Sequence, residues 1–443
     1  MKKDKLNAEL RKLVKEKLSP TQEDRDFVAK IYKSFNDLLG VNNCIQIGSF
    51  PRFTAVRPLH DLDILYIIGE WANSDIIPSE QLKILADKFR KEYINPTNYK
   101  ITVTVQTHSI SFKYLNYNNE EVFAVDIVPA LKDGINEFGR NKFRVPEIIK
   151  IKRGRSRDDY YQSKILKHQN ITWIKTDPIG YIEVSTKINQ ENEDFRRSVK
   201  FVKGWKNECK KMNDNFKLKS FHLEQLITED YLKNLHLDIF DSIFIFFTNL
   251  KSNIQKPRIS DRADSSRYID QYLTELNQEQ MQIINQAVDA ILIRFENVET
   301  ESDVRNILTS GFYKRNEESE KFLFDDKIPV LVDEDLLFQI DGVVSNYGTH
   351  NIYNPTLSSL GSIIDKNNSI NFIVVKDNSS SDLIKWKVKN DNSSPQPRGE
   401  ITNYKTFNNS ETTAYIGKHY VEAYSIRNNV CIAKDKIDVI VYK

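Results

Sequence analysis

The chain has 443 residues, 40% of them hydrophobic and 28% charged, and its formal net charge at pH 7 is +2. This length predicts two or three domains with real hydrophobic cores. Because the net charge is almost zero, any binding of nucleic acid must come from a local basic patch. The three cysteines, Cys44, Cys209 and Cys431, are too scattered for a metal or disulfide site, which indicates a reducing, cytoplasmic location.

The N-terminal segment predicts two helices, over residues 6–18 and 21–39. Ser19 and Pro20 open the second helix, with Gln22 at the spacing of a capping box, and Gly40 ends it. The charged residues 1–5 lead into an amphipathic helix and not into an apolar core, so no signal peptide is predicted.

The most informative pattern is GSFPRFTAVRPLHDLD at residues 48–63. A short strand over 43–47 runs into Gly48 and Ser49, where glycine lets the backbone approach a phosphate closely and serine offers a hydroxyl. Residues 61–68 begin with polar and apolar alternation and end apolar, which predicts a central strand. Since side chains alternate along a strand, Asp61 and Asp63 project from the same face, roughly 7 Å apart.

A third carboxylate is expected from Asp126, an acid within the apolar strand predicted over residues 121–130. Three carboxylates on neighbouring strands could hold two Mg²⁺ or Mn²⁺ ions. One ion would lower the pKa of an attacking hydroxyl, and the other would neutralise a leaving pyrophosphate. The alternative for Asp61 and Asp63 is a pair of surface acids on an edge strand, and we interpret His60 as a plain loop-end histidine.

The obvious basic patch is KIKRGRSR at residues 150–157, with Tyr160 and Tyr161 behind it. It is either a nucleic-acid contact or a solvated loop near the mouth of the site, and we favour the loop. From about residue 176 to 315 the pattern is helical. Residues 237–250 are apolar but short and interrupted by acids, which favours a core helix over a membrane span, so membrane action would need a partner.

Two polar residues stand out in the helical part. Lys203 lies in a helix predicted over about 189–212, and on spacing alone it could be a solvent-facing lysine. Ser220 precedes helix-forming residues, which predicts an N-cap, and a helix N-terminus is also favourable for phosphate.

Residues 328–443 fall into short alternating runs, which predict a β-sandwich-like domain after a charged connection at 314–327. We therefore divide the chain into residues 1–175, 176–327 and 328–443. Tyr442 is the penultimate residue, and it is either a tyrosine that closes the last strand or a phenolic nucleophile on a mobile tail.

The motifs resemble those of the polymerase-β-type nucleotidyltransferases, specifically the bacterial cGAS/DncV-like nucleotidyltransferases, which are called CD-NTases or SMODS proteins. The segments that carry the resemblance are GSF at 48–50, DLDILY at 61–66, VDIVPA at 125–130, WIKTDP at 173–178, VKGW at 202–205 and LKSFHLE at 218–224.

This resemblance implies an α+β fold, with a polymerase-β-like nucleotidyltransferase core, a helical half that clamps the nucleotide and a C-terminal β domain. It implies nucleoside triphosphates as substrates and two Mg²⁺ or Mn²⁺ ions as cofactors. It also implies catalytic and metal-binding roles for Asp61, Asp63 and Asp126. Lys203 and Ser220 are then expected to bind the triphosphate.

The C-terminal motifs resemble the adenylyl/guanylyl cyclase and SMODS C-terminal sensor domain, or AGS-C. They are WKVKN at 386–390, RGEI at 398–401 and ETTAYIGKHYVE at 411–422. Taken alone, Trp386 is interpreted as a core residue and Arg398 as a structural ion-pair partner. Families with this fusion belong to phage-defence operons, which implies a separate, membrane-bound effector encoded nearby and no membrane insertion by this chain.

The layout also resembles the Hailong-type enzymes, which grow a linear oligodeoxyadenylate from a C-terminal tyrosine. This resemblance implies dATP or ATP as the substrate and an oligonucleotide product primed by Tyr442. The alternative is a CBASS-type synthase of cyclic di- or trinucleotides. A degenerate transferase that merely senses nucleotides is disfavoured, because the three carboxylates and the predicted phosphate contacts are all present.

Overall fold

The computed structural model describes residues 1–73, 75–106, 108–148, 171–308, 320–333, 335–345, 354–402 and 410–442. The chain forms two compact units. One comprises Leu10–Lys206 and Leu218–Gln278, and the other comprises Met1–Glu9, Asn207–Lys217 and Glu279–Lys443. The basic patch at 150–157, with Tyr160 and Tyr161, lies outside the described residues. The division at residues 175 and 327 stays a prediction.

The chain begins with two helices, as predicted. Helix α1 covers Lys3–Leu13 and continues into one π-helical segment, Val14–Leu18, and α2 covers Gln22–Leu39. The capping box of α2 lies two residues later than predicted, because the Thr21 hydroxyl accepts from the Asp24 N–H and the Asp24 carboxylate accepts from the Thr21 N–H.

A seven-stranded sheet follows in the order β1-β2-β5-β4-β3, with β6 paired to β5 and β7 paired to β6. Strand β2 is flanked by β1, which is antiparallel, and by β5, which is parallel. The prediction of a central strand is confirmed, and the edge-strand alternative is wrong. The strands are β1 Cys44–Ile47, β2 Asp61–Glu70, β3 Lys100–Val105, β4 Ile110–Leu115, β5 Glu121–Ile135, β6 Asn141–Ile148 and β7 Ile171–Thr176.

One face of this sheet is covered by α2 and by α3, Pro78–Glu92. Leu62 and Ile64 of β2 pack in the resulting core with Phe35 of α2 and Phe89 of α3. Because alternate residues of a strand face opposite sides, Asp61 and Asp63 project from the face that the helices leave free. Hydrophobic patterning therefore fixes the side of the sheet on which the acids lie.

Four further helices follow β7, all in the same compact unit except for residues 207–212 at the end of the second helix. The apolar segment predicted as a core helix is the helix Ile239–Asn253, which buries Ile243, Phe246 and Phe247. In the part of the chain that the structure describes, no helix is both long enough and apolar enough to cross a membrane. The helices are α4 Pro178–Glu191, α5 Asp194–Met212, α6 Ser220–Lys233 and α7 Ile239–Asn253.

The other unit contains α8, Gln278–Glu296, and the short α9, Glu301–Arg305. It also contains two sheets in which most neighbouring strands are antiparallel. The sheet orders are β13-β10-β8 and β12-β11-β14-β15-β9, and both sheets contribute to one core that includes Phe372 and Trp386. This is the predicted β-sandwich-like architecture, so the α+β class is confirmed. The strands are β8 Phe338–Ser345, β9 Ile363–Asp365, β10 Ser369–Asp377, β11 Leu383–Lys389, β12 Arg398–Thr402, β13 Glu411–Thr412, β14 Gly417–Arg427 and β15 Val430–Tyr442.

Candidate active site

The structure brings the three predicted aspartates together on two paired strands. Asp63 of β2 lies directly opposite Asp126 of β5 in a parallel register, and Asp61 lies two residues earlier opposite Ala124. Asp61 is exposed, whereas Asp63 and Asp126 are partly buried. The side-chain period of two therefore puts all three carboxyl groups on the same face of the sheet.

Burial and mutual repulsion disfavour the ionised forms of these carboxyl groups. Burial raises the pKa of Asp63 to about 7, and the charges of Asp61 and Asp126 add to that rise, while Arg52 and Lys203 oppose it. Burial also raises the pKa of Asp126. One oxygen of Asp126, Oδ1, is buried without a hydrogen-bond partner. The cluster is therefore short of positive charge and of one hydrogen-bond donor or other ligand.

The donor chemistry fits Mg²⁺ or Mn²⁺, because all the ligands on offer are carboxylate oxygens and one of them is unpaired. Within the described ranges, no group of three His, Cys, Asp or Glu side chains already converges tightly enough to hold a metal ion. Asp61, Asp63 and Asp126 are the residues that would hold the ions, after adjustment of their side chains.

Gly48 lies against Asp63 at the end of β1. Its backbone has φ +78°, and a Cβ atom at this position would lie 1.9 Å from Asp63 Oδ2. Only glycine therefore satisfies both the left-handed backbone and the close approach. The chain then turns back on itself, since the Thr54 N–H donates to the Ser49 carbonyl at 3.0 Å. Residues 48–54 are called the Gly48–Thr54 loop below.

A buried ionic network, which the sequence interpretation missed, holds this loop. Arg52 Nε donates to Glu224 Oε1 at 2.6 Å, and the Thr54 hydroxyl donates to Glu224 Oε2 at 3.0 Å. Lys203 Nζ donates to Glu224 Oε2 at 2.5 Å, to the Thr54 hydroxyl at 3.0 Å and to the Thr54 carbonyl at 3.1 Å. Glu224 therefore joins the loop to α5 and α6.

The charges in this network depend on one another. Burial alone would raise the pKa of Glu224, but Arg52 and Lys203 outweigh it and lower the pKa to about 2. Burial lowers the pKa of Lys203, and Glu224 opposes that effect. Arg52, Thr54 and Glu224 belong to the segments GSFPRFT and LKSFHLE, so the motif letters were visible in the sequence, although their mutual contact was not.

The two predicted triphosphate contacts occupy different environments. Lys203 is only 3% exposed, so the alternative of a solvent-facing lysine is wrong. Ser220 is the first residue of α6, whose N-cap is Lys219, so the predicted N-cap role of Ser220 is also wrong. The Ser220 hydroxyl instead accepts from Lys206 Nζ at 3.1 Å.

Tyr442 lies in the other compact unit and is the last residue of β15, where it pairs with Asp365 of β9. Its side chain is 52% exposed. It therefore closes a strand, as in one of the two interpretations, and is not part of a free tail.

Comparison with known proteins supports the resemblance drawn from the motifs. Residues 317–442 match the family described as the Adenylyl/Guanylyl and SMODS C-terminal sensor domain, AGS-C. In sequence, the chain is 23% identical over 231 residues to the Cyclic AMP-AMP-AMP synthase of Escherichia coli (strain MS 115-1). The aligned part is 52% of this chain and 62% of the relative, so the chain spans less than two thirds of that relative's length.

The comparison with solved structures found the following two similar chains. One is E. coli MS115-1 CdnC with ATP, which matches 70% of this chain and 99% of its own length at 18% identity, with a TM-score of 0.49. The other is the Elizabethkingia meningoseptica CdnE cyclic dinucleotide synthase with GTP and Apcpp, which matches 70% and 96% at 13% identity, with a TM-score of 0.38. By its motifs and its sequence relative the chain is similar to the CD-NTases, and its residues 317–442 match the AGS-C domain.

Proposed function

We propose that this chain is a metal-dependent nucleotidyltransferase that joins nucleoside triphosphates and releases pyrophosphate. The observation that carries the proposal is the placing of Asp61, Asp63 and Asp126 on paired strands beside Gly48, with one carboxylate oxygen unpaired. The sequence similarity to a cyclic-nucleotide synthase supports it.

We assign different roles in this reaction to different residues. Asp61, Asp63 and Asp126 would hold two Mg²⁺ or Mn²⁺ ions, which when bound lower the pKa of the attacking hydroxyl and stabilise the leaving pyrophosphate. Gly48 and Ser49 offer the backbone and a hydroxyl to the phosphates. Lys203 and Ser220 serve the triphosphate side of the site, where fixed positive charge and donors favour the departing group.

We further propose that the product is an oligonucleotide signal in anti-phage defence, made in the cytoplasm and read by a separate, membrane-bound effector. There are two candidates for the chemical form of this product. A linear chain built from dATP and attached to Tyr442 is supported by the exposure of that side chain at the end of β15. A cyclic di- or trinucleotide is supported by the name of the Escherichia coli relative.

One experiment separates these products. The purified chain is incubated with each labelled NTP and dNTP in Mg²⁺ and in Mn²⁺, pyrophosphate is measured, and products are resolved by mass. Nucleotide mass on the C-terminal peptide, lost in Tyr442→Phe, would support priming. Free cyclic products, unchanged in Tyr442→Phe, would support the cyclase. Binding of nucleotides without release of pyrophosphate would instead indicate a nucleotide sensor and overturn the proposal.

A further inference from the structure

Three cations lie close together near the point where the start of α2 meets α5. Arg196 and Lys200 are four residues apart on α5, so they lie on the same face of that helix, and Arg25 lies near the start of α2. All three belong to the compact unit that contains the candidate site. Lys203 follows three residues after Lys200, so this row of positive charge leads along α5 towards the site.

These three cations differ from the arginines around them in their ion pairing. The neighbouring Arg57 and Arg197 each pair with an acid. No ion pair with a described carboxylate is formed by Arg25, Arg196 or Lys200. The described part of this surface therefore carries positive charge that an external anion could balance.

The environment of Lys200 is short of negative charge. Its side chain is half-buried, and its Nζ donates to the Ser19 hydroxyl at 3.1 Å. Burial lowers the pKa of Lys200 to about 8, and the positive charges of Arg25 and Arg196 add to that fall. Because the ammonium group is still mostly protonated at pH 7 and has three N–H donors, it can also donate to an anion.

Arg196 has little to bond to inside the protein. One of its terminal nitrogens, Nη2, lies 3.5 Å from the Thr186 hydroxyl, and its Nε is buried without a hydrogen-bond partner among the described residues. The charge of Glu224 acts on Arg196, but that carboxylate already accepts from Arg52 and Lys203. Arg196 therefore keeps charge and donor capacity for another acceptor.

An exposed aromatic ring lies against these cations. Phe53 is 63% exposed, and the Arg196 guanidinium lies 4.7 Å from the centre of its ring. The backbone of Phe53 has φ +58°, which is rare for a bulky residue and is a strain that recurs at functional sites. The Phe53 N–H donates to the Phe50 carbonyl at 2.9 Å, so a tight turn holds the ring at the surface.

Building on the proposed function, we infer that this ring and the three cations form one surface that binds a single-stranded oligonucleotide. The surface, called the Phe53–Lys200 surface below, consists of Phe53, Arg25, Arg196 and Lys200. A base stacks on the ring and the cations hold the neighbouring phosphates, which is the combination that binds single strands irrespective of sequence. Because Phe53 belongs to the Gly48–Thr54 loop, a strand held there stays beside the candidate site between additions of nucleotides.

The test measures binding by the full-length protein without nucleoside triphosphates. A fluorescent oligodeoxyadenylate of about twelve nucleotides is titrated by anisotropy, and the duplex of the same sequence and inorganic phosphate are used as competitors. The wild type should bind the single strand about tenfold or more tightly than the duplex, because a duplex hides the base faces that would stack on Phe53. Inorganic phosphate should compete only weakly, since it meets the cations and not the ring.

The ring is tested by Phe53→Gly. This variant should raise the dissociation constant of the single strand about tenfold or more, because a stacked base is lost. Its unfolding temperature should not fall, because glycine adopts φ +58° without strain. The control is Tyr117→Ala, which removes a 97% exposed aromatic residue from the hairpin between β4 and β5 and should bind like the wild type.

The cations are tested by Lys200→Gln through the salt dependence of binding. Loss of one phosphate contact should raise the dissociation constant about threefold to tenfold and reduce the slope of log Kd against log salt concentration by about 0.7. A purely structural role would not change that slope. Lys210→Gln changes an exposed lysine of the same helix and should leave both quantities unchanged. If Lys200→Gln does not fold, Arg25→Gln changes an exposed residue of the same surface and should reduce the slope equally.

The inference and the proposed function can fail separately. Wild-type affinity in a folded Phe53→Gly, an unchanged salt slope in the folded cation variant, or equal affinity for single strand and duplex would overturn the inference. A wild type that releases pyrophosphate but does not bind the strand would also overturn it and leave the proposed function standing. Strand binding with the expected variant effects, but without pyrophosphate release, would support the surface and overturn the proposed function.

Discussion

Lys203 in one compact unit and Lys387 in the other are both buried, and they lie in opposite charge surroundings. In the unit with the candidate site, Lys203 and Arg52 share a single carboxylate, Glu224. In the AGS-C domain, Lys387 Nζ lies 2.8 Å from Glu320 Oε1 and 3.7 Å from Glu422 Oε2. Two cations face one anion in the first cluster, and one cation faces two anions in the second.

The two clusters also differ in whether their carboxylates have further hydrogen-bond partners. In the AGS-C domain, the hydroxyl groups of Tyr420 and Tyr424 donate to Glu320 and Glu422 at 2.7 and 2.6 Å. Both carboxylates of that cluster therefore have a hydrogen-bond donor and a cation inside the β domain.

Around Lys203, the extra positive charge faces Asp61 and Asp63, while Asp126 Oδ1 has no partner. A closed network stabilises a fold, whereas buried charge that is left uncompensated marks a site prepared for a ligand. The unpaired oxygen of Asp126 therefore makes the first cluster the candidate ligand site, whereas buried charge alone does not distinguish the two clusters.

The largest effect is expected from changes to the aspartates beside the Lys203 cluster. Changing both Asp61 and Asp63 to alanine should lower the rate of pyrophosphate release by about a thousandfold or more, because the metal ligands are removed. The unfolding temperature should not fall, since crowded like charges are relieved. The control Asp37→Asn changes an exposed acid on α2 and should leave both quantities unchanged. Wild-type pyrophosphate release by the double variant would remove the metal assignment.

A substitution in the Lys387 cluster should lower stability without changing the rate of pyrophosphate release. Lys387→Met leaves the buried Glu320 and the partly buried Glu422 without their cation, so the free energy of unfolding should fall by about 3–5 kcal/mol in denaturant titration. Lys376→Met, which changes an exposed lysine of β10, should cost at most about 1 kcal/mol. If Lys387→Met proved as mild as its control, the cluster would have no structural role and the contrast between the units would fail.

Substitution of two glycines with positive φ distinguishes the effect of backbone strain from the effect of crowding Asp63. Gly48→Ala introduces a Cβ atom 1.9 Å from Asp63 Oδ2, and it should lower kcat about a hundredfold. Gly139 has φ +72° and open space around its Cβ direction. Gly139→Ala should cost only about 1–2 kcal/mol of unfolding free energy, with kcat unchanged. Equal kcat values in the two variants would show that the approach of Gly48 to Asp63 is not needed for activity.

The smallest effect is a pH dependence of stability. The pKa of Glu224 falls from 4.5 to about 2 on folding, so its contribution is complete above pH 4.5 and is lost as the pH falls towards 2. The free energy of unfolding of the wild type should therefore decline more steeply below pH 4.5 than that of Glu224→Gln. Buried His222, whose pKa is lowered to about 4, weakens both proteins in acid and cancels in the difference. Parallel curves would show that Glu224 is not held by Arg52 and Lys203.

Local patterns predicted the parts of the site that depend on one element. The alternation after Asp61 predicted both the strand and the shared face of Asp61 and Asp63, because a period of two follows from strand geometry. The isolated acid in an apolar run identified Asp126 as unusual. The direct pairing of Asp126 with Asp63 required the order of β2 and β5 in the sheet, which local pattern does not contain.

The errors came from contacts between distant segments. Helical spacing left Lys203 open to interpretation as a solvent-facing lysine, because its partners Thr54 and Glu224 lie 149 and 21 residues away in sequence. Ser220 fitted the composition of an N-cap, but the actual start of α6 places Lys219 there. Ser19 and Gln22 had the spacing of a capping box, yet Thr21 and Asp24 form it.

The pairing of Arg52 with Glu224 has a consequence for the synthesis of the chain. The two residues are 172 positions apart, so the ribosome completes the whole of β2 to β7 before it reaches Glu224. Until α6 has been made, Arg52 and Lys203 lack their carboxylate, and the loop that Thr54 closes is not anchored. Because N-terminal regions fold first during translation, a nascent chain can form its sheet early and still lack a competent loop. The Gly48–Thr54 loop therefore gains its anchor only after Glu224 has been translated.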